Sequence, residues 1–335
     1  MTRITLALAP LGADFVEPPG NARRVWPSRE GWRVHAEADG GRGVGEASPL
    51  PGASIERPRD VEEALVALGP LTLPLDAPWA ELAPRLAALR IPPSARFGLE
   101  TAIFDLAAQR AGLPLATWLR EGAAERCGVQ VLLDRLDVPE GLLDGARAVK
   151  VKVGRARAAE AEAALLRALR AGSPSLVIRA DANGAPLPPP LLDALREVGC
   201  ALLEDPGSPA PGLPTALDAS FVDDPDDALE RVARGEAVAA VLKPTLLGGI
   251  GRTLALAEAL RARAPGVELV VSHAYESSIA LAASAHLALA LGGGLHGLAP
   301  WRELERFEVE GRPIEPPAWI GRAEIVRPRR PGLAA

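Results

Sequence analysis

The sequence predicts an α/β protein in which an α+β amino-terminal unit, residues 1–93, precedes a modified (β/α)8 TIM-type barrel, residues 94–312. Three observations carry this expectation. After Cys127, eight short apolar runs alternate with helical or loop segments, which implies parallel βαβ units closing into a barrel. Before it, the chain reads as strands followed by helices, the order of an α+β unit. The polar residues of the later runs gather at their carboxyl ends, where barrels of this type keep their chemistry.

In chain order, Ile4–Leu8 and Trp32–Ala36 read as strands, the Gly/Pro-rich stretch Gly43–Gly52 as a loop, and Arg59–Leu68 and Trp79–Leu89 as helices. A strong helix begins at Ser94, a good N-cap residue, with Phe97, Ile103, Phe104, Leu106 and Ala107 at helical spacing. The eight barrel runs are 129–133, 148–153, 176–181, 201–204, 215–218, 239–243, 269–272 and 294–298. Helices 158–171, closed by Gly172, and 252–264 lie between them. Glu204 and Asp218 are 14 positions apart across a Pro-rich stretch, too little for a full helix, so the barrel is expected to be trimmed there. The tail, residues 313–335, is expected to pack back on the surface.

Composition excludes several classes. The chain has 335 residues, with 37 basic against 43 acidic residues and a net charge of −6, which argues against a nucleic-acid partner. At 48% hydrophobic and 24% charged it is too apolar for a disordered chain. No apolar run spans a bilayer, and Met1–Pro10 does not read as a signal peptide, so no membrane partner is expected. Cys127 and Cys200 read as buried thiols of a reducing, cytoplasmic location. His35, His273, His286 and His296 do not form a zinc set, though His273 adjoins the expected site. Gly43-Val-Gly45 is too short and wrongly placed for a dinucleotide fingerprint. Oligomeric state is not legible in the sequence.

The basic residues are the sharpest signal. Only Lys150, Lys152 and Lys243 are lysines; the other 34 are arginines. A guanidinium cannot shed its proton at any working pH, so a chain that keeps three amines suggests chemistry arginine cannot do. Lys150 and Lys152 are two apart on one strand and share a face, where crowding and burial lower at least one pKa. Asp181, Glu204 and Asp218 end the third, fourth and fifth runs. Each has an ordinary alternative: Asp-Ala-Asn-Gly as a turn, Glu-Asp-Pro as a helix start, Asp218 as a cap. Together they can converge on one hard divalent cation, with Mg2+ expected from oxygen ligands and Mn2+ also admitted. Asp223 or Asp224 is the alternative third ligand. Lys243 ends the sixth run, across the mouth from Lys152. A metal-bound carboxylate, a lysine base and an enediolate intermediate define the reaction class.

On these residues the chain resembles the enolase superfamily, and within it the o-succinylbenzoate synthases of menaquinone biosynthesis. Gly45–Gly52 is similar to the family's capping-domain loop, and Ala148–Gly154 to its Lys-x-Lys motif. Arg179-Ala-Asp181-Ala-Asn183 is similar to the third-strand motif, Lys243-Pro-Thr to the sixth-strand segment, and Ser272–Ser278 to the seventh-strand loop. The resemblance implies a hydro-lyase on a small-molecule carboxylate, 2-succinyl-6-hydroxy-2,4-cyclohexadiene-1-carboxylate, dehydrated to 2-succinylbenzoate. It implies Lys152 as general base and acid, Lys243 as charge stabiliser with Lys150 beside them, and Asp181, Glu204 and Asp218 as metal ligands. Arg179, Asn183, Ser272 and Ser277 are implied in substrate binding. Ala219 stands where the family pattern has Glu. The competing readings are an N-succinylamino acid racemase or muconate-lactonising-like enzyme on the same scaffold, and a non-catalytic metal-binding barrel.

Overall fold

An amino-terminal hairpin opens the structure, a computed structural model that describes residues 1–15, 18–20, 24–300, 308–309, 312–313 and 317–334. Strand β1 (Thr2–Asp14) pairs antiparallel with β2 (Ser28–Ala38), which pairs with β3 (Gly41–Ala47). Asp39 and Gly40 both have positive φ in the two-residue turn, as a type I′ hairpin requires. Helix α1 (Pro58–Leu68), strand β4 (Leu71–Leu73), and helices α2 (Trp79–Ala87) and α3 (Pro93–Arg110) follow.

Two expectations for this region are corrected. The stretch expected to be a loop from Gly43 begins as strand β3. Its glycines answer to packing, because a Cβ on Gly43 or Gly45 would lie 2.0 Å from a backbone oxygen of α3. Ser94 is not an N-cap but lies inside α3, where its hydroxyl donates to Glu56 Oε1 at 2.5 Å. Pro93 opens the helix with the fixed φ that suits a first turn.

The later elements are α4 (Leu115–Leu119), β5 (Arg126–Val129), β6 (Val131–Leu133), β7 (Ala148–Lys152), α5 (Ala159–Gly172), β8 (Val177–Asp181), α6 (Pro189–Glu197), β9 (Leu202–Glu204) and β10 (Thr215–Leu217). They continue with α7 (Ala219–Asp223), α8 (Pro225–Ala233), β11 (Ala239–Leu242), α9 (Pro244–Leu247), α10 (Ile250–Arg263), β12 (Glu268–Val271), α11 (Ser278–Leu291), β13 (Leu295–His296), β14 (Glu308–Val309), β15 (Arg312–Pro313) and β16 (Glu324–Val326). Strands β6 to β12 form one seven-stranded parallel sheet in chain order. The first run splits at Gln130. Its β5 half pairs with β13, and a Ser272–Gly297 bridge joins that strand to the end of β12. Backbone pairing therefore runs around the ring, with the eighth run, expected to be a full strand, reduced to two residues.

No helix separates β9 from β10, as the spacing predicts, and residues 134–147 between β6 and β7 hold only turns and bends. Asp205 substitutes for the missing helix. Its carboxylate accepts the Asp218 and Ala219 N–H groups, each at 2.9 Å, and anchors the short link. The tail enters the fold rather than lying over it. Strand β16 pairs antiparallel with β5, Ile325 and Leu333 are buried, and Leu333 N donates to Asp105 Oδ1 at 2.7 Å. Residues 301–307 and 310–311 of the expected barrel and 314–316 and 335 of the tail lie outside the described residues.

Helix α3 lies between the antiparallel sheet and the barrel, and one apolar cluster runs from Ile4 and Val34 through Phe97 and Phe104 to Leu254 and Leu287. Within it, Glu100 accepts the Gly251 N–H at the start of α10, at 2.9 Å. Burial pushes its carboxyl up from the usual 4.5 to about 7, against the lowering by that hydrogen bond and Arg96. The folded state thus holds a proton that the unfolded chain has released, and stability falls as pH rises from 4.5 through 7. The shift corresponds to about 3 kcal/mol. Relative to the wild type, Glu100→Gln should gain that amount between pH 4.5 and pH 8 in urea unfolding. The same difference at both pH values would mean that Glu100 titrates normally.

Candidate active site

The carboxyl ends of the parallel strands open into a cavity of about 610 Å³. Lys150, Lys152, Asp181, Asp218 and Lys243 line it from the barrel, and Trp26, Leu50 and Gly52 from the amino-terminal unit. Parallel register sets Lys152, Asp181 and Glu204 side by side on adjacent strands. The polar residues that end these three runs therefore reach one level of the ring.

Four ion pairs and one hydrogen bond to an amide define the centre. Lys150 Nζ lies 2.7 Å from Glu204 Oε2 and 3.4 Å from Asp181 Oδ2. Lys152 Nζ lies 2.6 Å from Asp181 Oδ2 and donates to Asn183 Oδ1 at 2.8 Å. Lys243 Nζ lies 2.5 Å from Asp218 Oδ2. The three amines are not equivalent. Burial and the charges of Lys150 and Lys243 lower the Lys152 pKa, against the pull of Asp181. Burial also opposes charge on Lys150 and Lys243, yet their pKa values are raised, by Glu204 and Asp181 on Lys150 and by Asp218 on Lys243. Despite its burial, Asp181 is held well below the usual carboxylate range by Lys152 and Lys150. Burial raises Glu204.

Asp181, Glu204 and Asp218 each offer one oxygen within 4.8 Å of the other two. Glu204 Oε1 and Asp218 Oδ1 are buried without a hydrogen-bond partner. An unsatisfied buried acceptor costs about 1–3 kcal/mol, so two in one trio are what a hard divalent cation would satisfy. The donor set fits such an ion. Asp224 instead caps α8 by accepting the Asp227 N–H, and Asp223 lines the cavity outside the trio.

Two expected substrate-binding residues lie elsewhere. Arg179 shares the inner face of β8 with Asp181 but sits one layer deeper, paired with Glu268 at the start of β12 and donating to the Leu295 carbonyl at 3.3 Å. Ser277 is fully buried at the start of α11 and bonds to Glu46. Neither lines the cavity, whereas Asn183, Ser272 and His273 do. Burial lowers the His273 pKa to about 4, which leaves the ring neutral, and its Nδ1 accepts the Tyr275 N–H at 3.0 Å.

Sequence reasoning missed the residues that hold this centre. Arg155 donates to the Lys152 carbonyl at 2.5 Å, and buried Glu162 accepts the Gly154 and Arg155 N–H groups at 2.8 and 3.0 Å. A glycine followed by Arg just past a Lys-x-Lys strand, with Glu in the next helix, was the available signal. Asp205, adjacent to Glu204, lies in a Glu-Asp-Pro stretch that gives it no role of its own in the sequence. Tyr275, the single tyrosine, carried no pattern.

A parallel ring with lysines and an acidic trio at its strand ends, roofed by a separate antiparallel sheet, defines an enzyme of the enolase superfamily. Residues 138–335 match the family described as enolase C-terminal domain-like, and the chain belongs to that family. The o-succinylbenzoate synthase of Enterobacter sp. (strain 638) is 32% identical over 276 residues, covering 78% of this chain and 79% of that relative. The dipeptide epimerase of Enterococcus faecalis V583, solved with Mg and the dipeptide L-Leu-L-Tyr, superposes with a TM-score of 0.82 at 22% identity, over 100% and 99% of the two chains. The N-succinyl Arg/Lys racemase of Bacillus cereus ATCC 14579 gives a TM-score of 0.79 at 18% identity, over 100% and 95%. At those identities the two structures share the fold with this chain, and the fold serves more than one reaction. Among the described residues no helix is long and apolar enough to cross a membrane.

Proposed function

We propose that this chain is an o-succinylbenzoate synthase, catalysing Mg2+-dependent syn-dehydration of 2-succinyl-6-hydroxy-2,4-cyclohexadiene-1-carboxylate to 2-succinylbenzoate. The observation that carries the reading is the division of labour among the amines. Lys152 is the cavity lysine whose charge is disfavoured, while Lys243 is held charged against Asp218. Asp181, Glu204 and Asp218 would hold the cation, which when bound supplies positive charge beside the substrate carboxylate.

Neutral Lys152 removes the proton α to that carboxylate at its Nζ. The resulting ammonium then delivers the proton to the departing hydroxyl on the same face, so the C–H and C–O bonds break and water leaves. The electron pair freed from the C–H bond completes the aromatic ring. Lys243 stays protonated and stabilises the enediolate charge by position and electrostatics. Asn183 accepts a hydrogen bond from Lys152 and so aims the amine.

The test is turnover of the cyclohexadiene followed by absorbance, with the Mg2+ removed by chelator and then restored. Activity should vanish and return, and absence of turnover in the Mg2+-loaded protein would sink the assignment. A second reading, N-succinylamino acid racemase, is favoured by two lysines reaching the cavity from strands on opposite sides of the ring. It predicts fast solvent-deuterium exchange at Cα of an N-succinylamino acid with negligible dehydration, the reverse of the result expected here.

A further inference from the structure

The segment after β12 carries an aromatic residue in a conformation that aromatic residues avoid. Tyr275 has φ of +62°, in the left-handed region where a side chain crowds its own backbone. Such strain persists only where surrounding contacts over-determine it, and here they do. Buried Arg29, on β2, donates one guanidinium N–H to the Ala274 carbonyl and another to the Ser48 carbonyl. The Ala274 N–H donates to Glu276, the Tyr275 N–H to His273, and the Ser277 N–H to Glu46. The peptide group that precedes Tyr275 is thus held at both its carbonyl and its N–H, the carbonyl from the amino-terminal unit.

The fixed turn sets the Tyr275 ring in the cavity wall. Its centroid lies 5.5 Å from the Trp26 ring and 5.7 Å from the His273 ring, with the latter edge-on. Trp26 is itself pinned by its indole N–H, which donates to the Pro51 carbonyl at 3.0 Å. The result is a rigid aromatic panel shared between the two halves of the chain, on a cavity whose other lining groups include three amines and four carboxylates.

We propose that this panel is the specificity-determining wall of the site: Tyr275, backed by Trp26, packs against the flat ring of a cyclic carboxylate, and Arg29 is the positioning residue that holds Tyr275 there. The inference rests on the dehydratase reading for the identity of that ring. Aromatic panels stabilise a stacked or edge-on ring beyond the area they bury. A ring-free acyl carboxylate would use the amines and the acidic trio without engaging the panel.

Calorimetric titration of the Mg2+-loaded protein with 2-succinylbenzoate and with ring-free N-succinylglycine tests it. Tyr275→Asn keeps a residue that tolerates the left-handed region and removes the ring. It should weaken 2-succinylbenzoate about tenfold and N-succinylglycine less than about twofold, while Tyr275→Phe restores the wild-type values. Arg29→Lys should reproduce the Tyr275→Asn pattern, and the double variant should be no weaker than either single variant. Tyr275→Gly serves the same purpose if Tyr275→Asn does not fold. Equal losses for both probes, no loss, or no 2-succinylbenzoate binding by the wild type overturns the wall. Independent, multiplying effects overturn the role of Arg29. Turnover of the cyclohexadiene judges the dehydratase reading separately, since it can fail with product binding intact.

Discussion

Replacing Lys152 with arginine is expected to leave a folded protein with turnover reduced by at least about 10³-fold, within the range attributed to a positioned general base. The guanidinium keeps the positive charge beside Asp181 but cannot release a proton at any working pH. The physical basis is the environment that distinguishes this amine. Burial and two neighbouring ammonium groups lower its pKa, whereas Lys150 and Lys243 each have a carboxylate that more than offsets their burial. Lys243→Arg provides the contrast. If Lys243 contributes only charge, arginine retains part of that contribution and activity falls far less than in Lys152→Arg. Equal collapse of both variants would favour two-base chemistry, and near-wild-type rates for Lys152→Arg would remove Lys152 from the base role. Circular dichroism of each variant checks that the loss is chemical.

Glu204→Gln is expected to weaken Mg2+ binding by more than about 100-fold. Groups that merely orient metal ligands already contribute 10- to 100-fold, and Glu204 would be a ligand. The amide still accepts from Lys150, 2.7 Å away in the wild type, so the barrel should retain its packing. What it removes is negative charge and an oxygen that has no partner of its own, Glu204 Oε1. Titration with the metal alone reads the effect without any assay of activity. An unchanged affinity would show that the trio does not act as one site. The short link between β9 and β10 makes this test informative. With no helix there, Asp218 is held by the Asp205 carboxylate, which accepts the Asp218 and Ala219 N–H groups, rather than by a packed helix.

The sequence determined the architecture and the chemical inventory. Alternating apolar runs with polar residues at their ends define parallel strands whose mouths carry lysines and carboxylates, and the 14 positions between Glu204 and Asp218 define the missing helix. The scarcity of lysine marked the three amines, all of which reach one cavity. Depth along a strand was decided only by the tertiary structure. Arg179 and Asp181 share a face because side chains alternate with a period of two, yet one binds Glu268 deep in the ring and the other faces the amines at its mouth. Periodicity specifies a face and says nothing of which neighbours meet there. The same holds for Ser277, claimed by Glu46 from a strand 231 positions away, and for Tyr275, held by Arg29 in a conformation that no local pattern favours. Long-range contacts create those environments, and a buried group's pairing and proton affinity follow from the environment rather than from the residue type.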